Sequence, residues 1–163
     1  MMEISTFLAL LLAGSALHKV IARDRLAQVA AKLAGVRGQG LLLLIVAGTF
    51  ELVAALCLMI APLHQTGALL AAVVWLAYAA ALRRRRGETL DCGCDLVARE
   101  KPVDWPLIAR PAALAMLALI ISTLPVAAFG VATPFAAAGL LALYLAGSEL
   151  LAIPHPRWRK SSC

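Results

Sequence analysis

LLLLIVAGTFELVAALCLMIA, residues 41–61, is a run of 21 residues with a single formally charged side chain, Glu51, near its middle. About twenty apolar residues, rising 1.5 Å each, cross a bilayer's ~30 Å hydrocarbon core as a helix. The run therefore reads as a membrane span, and the spans around it fix the fold class. Glu51 is its one anomaly. An ionisable group at mid-bilayer costs at least about 2.5–3.5 kcal/mol, so it must be neutral or face a polar partner inside a bundle.

Working outward, Pro62 to Gln65 form a tight turn, and a second apolar run, 66–82, follows as an antiparallel neighbour. It stops at four consecutive arginines, 83–86. Upstream, residues 4–21 form another apolar run. Its only early charge is Glu3 and it closes on His18-Lys19, not on a small-residue cleavage site, so it reads as a retained transmembrane helix and not a signal peptide. Between these runs, Leu26, Val29, Ala30 and Leu33 recur at helical spacing with Arg25, Lys32 and Arg37 elsewhere. That pattern predicts a short amphipathic helix over 23–40 at the interface, punctuated by Gly38 and Gly40. Downstream, Trp105 is placed as an interfacial anchor before a fourth run, 111–129, and a fifth run covers 135–153. The expected fold is all-α, a single polytopic membrane bundle of four core transmembrane helices and a fifth.

Composition agrees. The 163 residues are 63% hydrophobic and 15% charged, with a mean hydropathy of +0.89, where a soluble domain is roughly 45–50% apolar and about 25% charged. The net charge of +6 does not imply nucleic acid, because the basic residues fall between and after the apolar runs with no basic groove or aromatic platform. The positive-inside rule accounts for them with the amino terminus outside, the carboxyl terminus in the cytoplasm and residues 83–105 on the cytoplasmic side. Arginines 83–86 would also attract anionic lipid head groups.

Four cysteines are present, Cys57, Cys92, Cys94 and Cys163, too few and too scattered for a disulfide scaffold. Cys57 lies in an apolar run and reads as a small buried hydrophobe, and Cys163 has no thiol neighbour. Cys92-Gly93-Cys94 is different, since two thiols sit one glycine apart in a charged loop. Arg83 to Arg86, Arg99 and Lys101 favour the thiolate, while Asp91 and Asp95 oppose it. A disulfide across one residue closes a small strained ring that is readily reduced, and glycine best tolerates the backbone this needs. Metal ligation is the second reading, but no histidine lies near and structural zinc wants four ligands. A pair of ordinary loop cysteines is the third. For Glu51, the candidate partners are Lys19 and His18. The pair would form either a proton or ligand site or a structural clamp, the clamp being slightly favoured. No cofactor, nucleotide, haem or zinc-protease motif is present.

Lys19 ending the first helix, Glu51 in Phe50-Glu51-Leu52, Asp91-Cys92-Gly93-Cys94 after the third span, and Pro102-Val103-Asp104-Trp105 with Arg110 opening the next together resemble the MauE family. This family of methylamine-utilisation membrane proteins is distantly similar to DoxX-like proteins. The resemblance runs from about residue 4 to residue 129 and departs at Asp95-Leu96, where relatives commonly carry a Phe-Gly-like pair, and at Pro111, where they often carry asparagine. It implies a bacterial plasma-membrane protein that assists maturation of the disulfide-rich methylamine dehydrogenase beta subunit beside a thioredoxin-like MauD partner. Cys92 and Cys94 would then carry the redox equivalents, a thiol–disulfide oxidoreductase-like activity, with Lys19 and Glu51 in the bundle's polar core. The rival expectations are a non-enzymatic scaffold or chaperone, and a small-molecule carrier centred on Glu51.

Overall fold

The structure is a computed structural model describing residues 2–36, 38–87, 89–91, 100–125 and 128–150, with 89–91 and 100–102 described as backbone. Its elements are α1 (Met2–Ile21), α2 (Arg23–Ala34), α3 (Gly40–Met59), a 3-10 turn (Ala61–Leu63), α4 (His64–Arg84), β1 (Thr89–Asp91), β2 (Glu100–Pro102), α5 (Trp105–Ser122) and α6 (Ala132–Leu150). Among the described residues, five helices are long and apolar enough to cross a membrane: α1, α3, α4 with its preceding turn, α5 and α6. The architecture is an all-α multi-pass membrane bundle. The two strands are three residues each and pair only with one another, antiparallel, Asp91 opposite Glu100.

The helices approach closely because their contact faces are small. Ala54, Ala68, Ala71, Ala115, Ala118 and Ala137 are completely buried in one core with Leu8 and Leu58, and small residues let backbones meet where lipid offers no hydrophobic drive for association. Two glycines fix particular crossings. A Cβ on Gly67 of α4 would stand 2.5 Å from the backbone nitrogen of Leu58, so the α3–α4 hairpin closes only around a residue with no side chain. A Cβ on Gly40, the first residue of α3, would collide with the backbone carbonyl of Ala27.

That second contact shows how α2 sits. Between α1 and α2 only Ala22 leaves helical geometry, and the ladder bridges it, with Ala22 N–H donating to His18 O (2.9 Å) and Leu26 N–H to Ala22 O (3.0 Å). The chain thus runs from α1 into α2 and along the first turns of α3. α2 closes earlier than Gly38, at Gly35, whose left-handed φ of 72° turns its N–H back onto Ala31 and Lys32 carbonyls. Gly40 opens α3 instead of ending α2.

α5 also differs from expectation. It begins at Trp105, six residues before Pro111, and ends at Ser122. Pro106 occupies the first turn, where its missing N–H costs nothing. Pro111 lies inside the helix, where the ring removes one ladder bond without ending it. α6 leans on α1 through an edge-on contact between Phe7 and Tyr144, ring centroids 6.0 Å apart. Elsewhere α6 is the least covered span, with Phe135 and Leu143 more than 70% exposed, as suits a lipid-facing helix.

Candidate functional site

Three helices converge on one buried polar cluster. Glu51 of α3 is 1% exposed and accepts from Lys19 Nζ of α1 at 2.8 Å on both carboxylate oxygens. Ser15 Oγ, one turn before Lys19, donates to Glu51 Oε1 at 3.0 Å and accepts from Lys19 Nζ at 2.7 Å. Tyr78 of α4 donates its hydroxyl to the same oxygen at 2.6 Å, and Lys19 Nζ lies 5.3 Å from the centre of the Tyr78 ring.

An ammonium has three protons, and here they go to Ser15 Oγ and the two carboxylate oxygens, so the donor set is spent. The charges cancel and every donor finds an acceptor. A buried pair meets its desolvation cost only when extra hydrogen bonds complete it, and this one has them. The arrangement can clamp α1, α3 and α4 to one another. It leaves Lys19 no proton for a ligand.

Lys19 reaches Glu51 because of the α1–α2 continuation. With Ala27 and Ala31 opposite Gly40, Lys19 falls level with Glu51, eleven residues and about 16 Å along α3. Lys19 is therefore not at the rim of the bundle, where the end of the first apolar run in sequence would put it. Ser15 and Tyr78 join the cluster beyond the Lys19 and Glu51 expected from the sequence. The i, i+4 spacing of Ser15 and Lys19 was a readable signal; nothing in the sequence singled out Tyr78, which joins the cluster only through the α3–α4 pairing.

Beside the cluster, a cavity of about 80 Å³ opens between α2, α3 and α4. Lys19 and Tyr78 form one end, and Leu26, Leu33, Leu44 and Leu82 are among the hydrocarbon walls.

Cys92 and Cys94 lie outside the described residues, as does Cys163. What is described is their frame. β1 ends at Asp91, immediately before Cys92, and its pairing with β2 holds the two ends of segment 92–99 together. Gly87, at φ 89°, donates to Val103 O at 3.2 Å, and the Arg86 guanidinium sits 5.1 Å over the Trp105 ring. Leu82, Val103 and Ile108 are buried beneath, with Leu33 packed against them. The frame stands at the basic ends of α2 and α4. Cys57 is a free, half-buried thiol in α3.

Two more polar contacts lie apart from both. Ser5 Oγ and His64 Nε2 are 2.8 Å apart, both buried, and His64 Nδ1 has no partner among the described residues. Arg110 does not open the helix as expected but lies inside α5, where it donates to Ser148 O of α6 at 2.9 Å; Glu149 is the next residue. Among the described residues no group of three or more His, Cys, Asp and Glu side chains is arranged to hold a metal.

Residues 1–124 match the family described as methylamine utilisation protein MauE, which takes in α1 to α5 and leaves α6 outside. The chain is 38% identical over 109 residues to the methylamine utilization protein MauE of Paracoccus denitrificans, covering 61% of this chain and 59% of that protein. It thus spans about three fifths of the length of this curated relative. No solved structure matches.

Proposed function

The chain belongs to the MauE family, and on that premise we propose that it serves methylamine utilisation as a bacterial plasma-membrane protein. Its role is to assist maturation of the methylamine dehydrogenase beta subunit by thiol–disulfide exchange at Cys92 and Cys94. The observation that carries this reading is the position of the thiol pair, directly after the last paired residue of a ladder braced on α4 and α5. In this reading the chemistry belongs to the segment that follows β1, and the hydrocarbon interior serves packing.

The exchange is balanced without a cofactor. One thiolate attacks a sulfur of the partner's disulfide, forming a mixed disulfide and releasing the partner's other sulfur as thiolate. The second thiol, deprotonated, then displaces the partner's remaining sulfur, leaving Cys92 and Cys94 oxidised and the partner carrying two electrons and two protons more. The reverse sequence reduces the pair. A thioredoxin-like protein of the MauD type is the partner, and the arginine-rich end of the bundle faces the cytoplasm.

Glu51 is the structural clamp in this reading and not a carrier site, because its carboxylate is buried and its partners are internal. A Cys94→Ser variant tests the exchange. Purified with its partner under non-reducing conditions, it should accumulate a mixed disulfide through Cys92 that dithiothreitol dissolves; absence of any such adduct with either single-cysteine variant would refute the mechanism.

A further inference from the structure

The cavity between α2, α3 and α4 is left without a role by the thiol chemistry. Its volume of about 80 Å³ is several times the ~10–15 Å³ that a water needs, and hydrocarbon-walled cavities stay dry and accept apolar groups. Its polar end offers a ligand no free ammonium proton, since all three go to Glu51 and Ser15. What fits is a hydrocarbon chain.

The surroundings say which hydrocarbon. On α2 the wall residues Leu26, Val29, Ala30 and Leu33 form one stripe. On the α3 side it is bordered by Ala27 and Ala31, against Gly40. On the other side lie Arg25 and Lys32, seven residues apart and so on one edge of the helix. On α4 the wall ends at Leu82, and arginines follow at once. Arg85 reaches across to the end of α2, its guanidinium 3.3 Å from where a Cβ on Gly35 would stand. Arg83, Arg84 and Lys32 are exposed and make no ion pair with a described residue. An apolar slot therefore opens at one end of the bundle beneath a rim of cations.

We propose that this cavity is the acyl-chain site of an anionic phospholipid, one chain lying along the leucine wall between α2 and α3 and the phosphate held at the rim by Lys32 and Arg85, the arginine that continues the α4 wall face beyond Ala81 and Leu82. The bilayer supplies the ligand, and charge complementarity selects the anionic head group over a zwitterionic one. The site is independent of the cysteines and would exist whether or not they exchange electrons.

Photolabelling tests it. The full chain is reconstituted in phosphatidylcholine vesicles containing a minor fraction of phosphatidylglycerol with a diazirine on one acyl chain, irradiated and mapped by mass spectrometry. Labels should concentrate on peptides carrying residues 26–33 and 43–47, and diazirine phosphatidylcholine should label them several-fold less. Lys32→Gln and Arg85→Gln should each lower the phosphatidylglycerol signal about fivefold, Lys32→Arg should retain it, and Ala30→Phe should abolish it by filling the slot. Labels spread evenly over the lipid-facing helices of the unaltered chain, or equal labelling by the two lipids, would overturn the proposal, and that arm requires no variant to fold.

Discussion

Glu51 shows how much one ionisable residue fixes inside a membrane protein. Its carboxylate ties α3 to Ser15 and Lys19 of α1 and to Tyr78 of α4. Breaking such a pair from one side leaves an uncompensated buried charge and costs about 3–5 kcal/mol, whereas replacing both ends with apolar groups is often near neutral. Lys19→Met should therefore sharply lower the midpoint of thermal unfolding in detergent. Lys19→Met combined with Glu51→Leu should recover most of that loss, and purely additive losses would show that the two side chains do not act as a pair. Tyr78→Phe removes one hydrogen bond to a charged group and should cost about 1.5–3 kcal/mol in the same assay. Glu51 was legible as a residue in need of a partner, and Lys19 as its candidate, because charge in a hydrocarbon run is conspicuous. The closeness of the pair was not legible. It depends on α1 continuing into α2, set by contact between Gly40 and Ala27, which periodicity cannot express.

At the level of elements, helices were readable and their ends less so. The apolar runs gave the helices, but the expected opening at Pro111 fell six residues late, because proline marks a boundary in sequence while α5 carries it internally. The ladder of β1 and β2 has no hydrophobic alternation to announce it; it forms where α4 and α5 bring their flanking segments together. Close approaches supply the element-scale test. Gly67→Val should open the α3–α4 hairpin and markedly reduce the yield of folded protein on size exclusion, since its branch would enter the backbone at Cys57 and Leu58; Gly139→Ala in α6, where nothing lies within 4 Å of the added carbon, should leave that yield unchanged. Arg86→Ala removes the cation from Trp105 and should cost about 0.5–1 kcal/mol, read as faster proteolysis between α4 and α5 with the rest of the bundle intact.

For the whole molecule, length and composition sufficed to read a multi-pass bundle, because five apolar helices have few alternatives to a membrane. The likeness carried by Lys19, Glu51, the Cys92–Cys94 spacing and Trp105 pointed to the MauE family, and the match over residues 1–124 agrees. The basic loops predict a cytoplasmic side for residues 83–105. A membrane-impermeant thiol reagent, applied to intact cells carrying Cys57→Ala and Cys163→Ala, should leave Cys92 and Cys94 unlabelled until the cells are permeabilised. We propose that these two thiols serve maturation of the methylamine dehydrogenase beta subunit. The most direct test is the disulfide content of that subunit, determined by mass spectrometry of non-reduced peptides, in cells whose only copy of this protein carries Cys92→Ser and Cys94→Ser. The beta subunit should then be depleted and incompletely disulfide-bonded although the variant is inserted and folded; a stable, fully disulfide-bonded subunit would refute the proposal.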